Sequence, residues 1–74
     1  MKELSIRNQL EGTIKAIVLG PVVSEVVVKT KAGTLASIIT SRSVKNMKLK
    51  KGDRVSVMIK ATEASIQKIR GQGH

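Results

Sequence analysis

"RVSVMIKAT", residues 54–62, alternates Val55, Val57 and Ile59 with Arg54, Ser56, Met58 and Lys60. Successive side chains of a strand point to opposite faces, so this spacing predicts a half-buried β-strand with an aliphatic inner face. "KKGD" (50–53) precedes it as a turn with Gly52 at the tip. Nearer the N-terminus, "LEGTIKAIV" (10–18) puts Leu10, Ile14, Ala16 and Val18 on one face and Glu11, Thr13 and Lys15 on the other. "GPVV" (20–23) breaks that ladder, and "SEVVVKTK" (24–31) resumes it with Val26 and Val28 opposed to Glu25, Val27 and Lys29. "KAGT" (31–34) reads as a hairpin turn around Gly33, and "TLASIIT" (34–40) as the third strand.

After Thr40 the period changes. "TSRSVKNMKL" (40–49) offers Val44, Met47 and Leu49 at helix-like spacing, with Thr40 or Ser41 placed to cap the first turn. A fifth, shorter run, "ASIQKI" (64–69), reads as a last strand, and "RGQGH" (70–74) as a basic, Gly-rich, frayed tail. The expected order is β-β-β-helix-β-β. An all-β, small five-stranded barrel of the OB type, with one short helix between strands three and four, suits that order, because curling removes exposed strand edges. Residues 1–69 form the single domain of this reading.

The chain has 74 residues, no Cys, no Phe, Tyr or Trp, and one His, the terminal His74. A domain of this size buries only about 60% of the surface its unfolded chain exposes, so its aliphatic core needs a staple. Without cysteine, disulfides and thiolate metal sites are excluded, which leaves oligomerisation. No apolar run has the length of a membrane span, and the first ten residues lack a signal peptide's apolar stretch. The expectation is a cytoplasmic protein with no membrane contact.

Fourteen Lys and Arg against five Asp and Glu give a formal net charge of +9 at pH 7. That balance favours an anionic partner without identifying it. Catalysis is not expected: the five carboxylates are scattered, His74 lies in the tail, and Lys60 is the one base in an ordered strand that could activate a serine. A cation site would need grouped Cys, His or carboxylates. An oxyanion instead takes hydrogen-bond donors, and donors gather at strand ends. Ser5 and Arg7 lie in "SIRNQL" (5–10), Thr40 and Ser43 follow the third strand, and Lys60, Ala61 and Thr62 end the fourth. Taken singly, these are a solvated arm, a helix cap and a strand's solvent face. Together they are three donor clusters able to meet at one rim. Single-stranded nucleic acid is the alternative partner of a basic OB-like module, although its usual aromatic stacking platforms are missing. A purely structural interaction domain is a third reading.

In this order the clusters resemble the Mop-type, or molbindin, family of molybdate-binding domains. "SIRNQLEGTI" is similar to that family's opening S-A-R-N-Q-L-x-G-x-(V/I), with Ile6 in place of alanine. "SEVVVKT" resembles its second strand, "IITSRSV" its T-x-x-S segment and "VMIKATE" its strand ending in I-K-A-(S/T). The resemblance runs from about Leu4 to Ile69.

It implies an OB-like barrel that assembles as a hexamer, a trimer of dimers, with oxyanion sites between subunits. Carried over by motif, Ser5, the Ile6 backbone and Arg7 come from one chain, Lys60, Ala61 and Thr62 from a neighbour, and Thr40 and Ser43 complete the set. Asn8 and Gln9 are expected to fix the N-terminal arm. The implied function is non-catalytic binding and storage of molybdate or tungstate inside the cell. The metal is held only as its oxyanion, with no organic cofactor.

Overall fold

The computed structural model describes residues 7–69. Ser5, Ile6 and the tail at 70–74 lie outside the described residues. Four strands form one antiparallel sheet: β1 (Arg7–Val18), β2 (Val23–Thr30), β3 (Gly33–Thr40) and β4 (Arg54–Lys60), in the spatial order β3-β2-β1-β4. A seven-residue helix, α1 (Ser41–Met47), follows β3, and a single 3-10 turn (Ala61–Glu63) follows β4.

The long strand β1 organises the sheet by dividing its partners. Its first half, Arg7 to Thr13, pairs with β4, and its second half, Gly12 to Val18, pairs with β2. Gly12 and Thr13 alone belong to both ladders. A β carbon at Gly12 would stand 2.4 Å from the Lys29 carbonyl oxygen and 2.7 Å from Val28 Cγ1, so no larger residue fits between these strands. One residue further on, Ile14 both accepts from Gly52 N–H and donates to the Asp53 carbonyl, each at 2.9 Å, which fastens the 50–53 turn to the centre of β1. That turn is closed from within by Asp53, whose carboxylate accepts from Lys50 N–H at 3.0 Å and meets Lys50 Nζ at 3.3 Å.

The register slips between Ile14 and Ala16, leaving Lys15 as the extra residue of a β-bulge. The sequence alternation predicts Ala16 and Val18 on the core face; the bulge reverses the parity, so Ile17 packs on the core and Val18 is 59% exposed. Elsewhere the alternation carries over. Ser24, Val26 and Val28 of β2 are buried, and Val55 and Val57 of β4 pack inward.

The fully buried core consists of Ile14, Val26, Val28 and Val44, with Ile17, Ile39, Leu49, Val55 and Val57 packed partly against it. Each such aliphatic side chain contributes about 1.5–3 kcal/mol by leaving water, so this is a small core for the chain. The sheet curls without closing. An apolar groove of about 260 Å³ runs along its inner face between Ile39 on β3 and Val57 on β4. The predicted fifth strand is absent here: residues 64–69 form no ladder, and Ile66 and Ile69 are 98% and 71% exposed. A strand exists only where another edge accepts its hydrogen bonds, and the single chain gives this run no such pairing.

α1 starts where the sequence predicts. Thr40 caps it, its hydroxyl accepting from Ser43 N–H at 3.1 Å while donating to Ser43 Oγ at 2.8 Å. Ser41, the other candidate cap, has a different role. It is 7% exposed, donates to the Gly20 carbonyl at 2.7 Å and lies 2.6 Å from Ser24 Oγ, which also accepts from Gly20 N–H at 3.3 Å. With Ser41 N–H donating to Val22 O at 2.8 Å, this buried network ties the start of α1 to the loop between β1 and β2. The helix ends at Lys48, whose φ of 54° and ψ of 43° lie in the left-handed region.

These features generate two stability predictions. Gly12→Ala lowers stability by about 3 kcal/mol through overpacking against backbone, read as a drop of more than about 10 °C in melting temperature at fixed protein concentration. Ser41→Ala strands the hydrogen-bonding groups around Gly20 and costs about 1–3 kcal/mol by denaturant titration, whereas Lys48→Gly relieves a left-handed residue and gains about 1 kcal/mol.

Candidate functional site

The structure places the backbone of Arg7 beside the cluster that ends the fourth strand. In the β1–β4 ladder the Arg7 backbone stands opposite Lys60, the last residue of β4. Lys60 then leads directly into the 3-10 turn that contains Ala61 and Thr62. Lys60, Ala61 and Thr62 are all exposed, and the Lys60 side chain makes no capping hydrogen bond to the turn. This end of β1 is therefore a corner where an ammonium group and a hydroxyl group face solvent unengaged by the local backbone. The juxtaposition of Arg7 with Lys60 arises within one chain, a closeness that the resemblance, which draws them from neighbouring chains, does not call for.

The third cluster lies elsewhere. Thr40 pairs with Val23 at the opposite end of the sheet, two ladder positions beyond the Val18–Glu25 pair that ends the β1–β2 ladder. Since β3 and β4 are the two edges of the sheet, Thr40 with Ser43 and Lys60 with Arg7 occupy diagonal corners. Within one chain the register therefore keeps Thr40 and Ser43 apart from Lys60 and the Arg7 backbone. The physical reason is strand direction: β4 runs antiparallel to β1 and ends opposite Arg7, whereas β3 runs parallel to β1 and ends beyond the level of Val18.

Thr40 and Ser43 are not idle in their corner. Each hydroxyl is engaged by the other, and Thr40 also holds Ser43 N–H, so both donors are preoriented at the helix start. An anion there would compete for a hydroxyl proton that now serves the Thr40–Ser43 bond. Beside them opens a shallow depression walled by Pro21 and Val22 on one side and Arg42, Lys45 and Asn46 on the other. The position of this corner depends on the buried Ser24–Ser41–Gly20 network, which the motif reading did not single out. Its signal was present in the alternation of Ser24, Val26 and Val28, which puts a serine on a core face.

The chemistry of the donors is that of anion binding. Among the described residues no three of His, Cys, Asp or Glu are grouped to hold a metal cation. No helix among them is long and apolar enough to cross a membrane. The inner groove is lined by core and near-core residues such as Val26, Val28, Ile39 and Leu49, and no Lys or Arg among the described residues lines it.

Comparison with known proteins gives a consistent result. The TOBE domain family model matches residues 4–66. The molybdenum-pterin-binding protein 3 of Clostridium pasteurianum is 36% identical over 64 residues, covering 85% of this chain and 94% of that protein. Molybdenum-pterin-binding protein 1 of the same organism is 34% identical over the same length. Among solved structures, a molybdate-binding protein from Sporomusa ovata superimposes with a TM-score of 0.83 at 40% identity, covering 90% of this chain and all of that one. MopII from Clostridium pasteurianum gives 0.81 at 33% identity, covering 89% of this chain and all of its own. The motifs in the sequence, the curled sheet and these matches agree that the chain belongs to the TOBE domain family, on its Mop-type, or molbindin, branch.

Proposed function

We propose that the protein binds molybdate, and tungstate by the same chemistry, as a non-catalytic intracellular store, in sites completed between copies of the chain. The observation that carries this reading is the nature of the two corners: hydroxyl and ammonium donors stand there, the backbone of Arg7 lies beside Lys60, and no metal-ligating cluster occurs among the described residues. The molybdate-binding protein of Sporomusa ovata, similar over its whole length, supports the choice of anion.

A tetrahedral dianion accepts several hydrogen bonds at once. Each charge-assisted bond returns about 1.5–3 kcal/mol net, and micromolar affinity needs about 8 kcal/mol, so a handful of donors is enough. Ser5, Ile6 through its backbone, Arg7, Lys60, Ala61 and Thr62 form one half-set, and Thr40 with Ser43 the other. Tungstate, a tetrahedral dianion of nearly the same size, is accepted equally, whereas the smaller sulfate leaves donors unpaired. No organic cofactor enters this reading.

Assembly is part of the proposal, since diagonal half-sets in one chain are joined by a second copy. Three observations support an oligomer: the four-residue buried core, the unclosed apolar groove, and the exposed isoleucines of residues 64–69, which have the composition to cover such a groove. The hexamer, as a trimer of dimers, follows the family resemblance.

The test is equilibrium dialysis against molybdate, tungstate, sulfate and phosphate, followed by elemental analysis. Selective retention of molybdate and tungstate is expected, and equal retention of all four anions, or of none, refutes the reading. Lys60→Ala or Arg7→Ala should weaken retention at least about tenfold, the loss of one charged donor. Ser43→Ala separates binding from folding. It keeps the N–H that Thr40 caps, so the melting temperature should barely move while molybdate retention falls. In sedimentation velocity the wild-type protein should run as a hexamer, and Ile66→Asp with Ile69→Asp should shift it to smaller species.

A further inference from the structure

The cations are unevenly placed, and the row they form starts beside the Thr40 corner and runs on past it. From Val26 to Gly52 the chain carries no Asp or Glu, yet half of its fourteen Lys and Arg fall there. Arg42, Lys45, Lys48, Lys50 and Lys51 follow one another along α1 and the turn after it. Burial of Ser41 and Val44 fixes the rotation of the helix and leaves Arg42, Lys45 and Asn46 exposed on its outer side. Lys48 and Lys51 continue the same exposed run. Lys50 is taken up by Asp53, and Arg54 by Glu11 at 3.5 Å. Among the described residues Arg42, Lys45, Lys48 and Lys51 form no ion pair. A row of like charges raises the energy of the folded protein through self-repulsion. Holding a dianion at the corners does not require this row.

We infer that the ridge from Arg42 to Lys51 is a docking surface for the phosphate backbone of double-stranded nucleic acid, bound without sequence preference. Lysines dominate the ridge, and as point charges they suit phosphate neutralisation with release of counterions. A protein partner is disfavoured, because protein interfaces are depleted in lysine and enriched in aromatic residues, and this chain has no aromatic residue at all. Single strands are disfavoured for want of stacking platforms. The surface is separate from the apolar inner groove, which no Lys or Arg among the described residues lines.

The experiment is a fluorescence-anisotropy titration of a labelled mixed-sequence duplex with the full-length protein, in buffer free of molybdate, at several salt concentrations. Neutralising four phosphates gives a log–log salt slope of about −4 or steeper, which amounts to roughly a hundredfold loss of affinity between 50 and 200 mM salt. The triple variant Arg42→Gln, Lys45→Gln, Lys51→Gln should reduce the slope by about 3 and weaken low-salt binding at least about tenfold, with an unchanged circular-dichroism melt. Lys15→Gln, Lys29→Gln, Lys31→Gln removes the same charge from exposed positions off the ridge and should leave the slope in place. The inference is overturned by no binding at low salt, by equal losses in the two triple variants, or by tighter binding to a polyglutamate peptide or phosphatidylserine vesicles than to the duplex.

Discussion

Everything in this fold depends on β1 serving two partners in succession. A strand has two edges, and β1 uses one for β4 along its first half and the other for β2 along its second, with Gly12 at the overlap. Only glycine allows the Lys29 carbonyl to approach that closely. The bulge at Lys15 then adds twist just past the overlap, and the 50–53 turn grips Ile14 from the other side. The result is a curled sheet that does not close.

Strand direction decides where the donors go. β3 runs parallel to β1 and β4 antiparallel to it, so the two edge strands finish at opposite ends of the sheet. The cap of α1 and the end of β4 thus occupy diagonal corners, and the candidate donors fall in two groups. Incompleteness shows in the packing: the core is small, the inner groove is open, and residues 64–69 expose isoleucine. A small core, an open groove and exposed isoleucines are expressions of one geometry, that of a sheet that curls without closing.

Charge is arranged on a different principle. The corners need few cations, while the segment from Val26 to Gly52 collects seven of them with no acid. Because α1 is anchored from beneath by Val44 and by the Ser24–Ser41–Gly20 network, its cations face outward in a fixed direction. Fixed orientation turns a compositional excess into a defined surface.

The sequence by itself determined the strands, the helix and their order, because alternation in 24–30 and 54–60 and the Thr40 cap are local signals written in side-chain period and hydroxyl chemistry. It also carried the motifs by which the donors of the candidate site were found. It missed the reversal of parity after Lys15, since a bulge depends on the neighbouring strand's register and leaves no mark on β1's own period. It predicted a fifth strand at 64–69, since a period of two says that a segment can pair but not whether an edge is there to receive it. Whether Thr40 and Lys60 share a rim was likewise beyond local pattern. Only the tertiary structure decided that, because the place of each strand end is set by the strand order and pairing direction of the sheet, which no local period encodes.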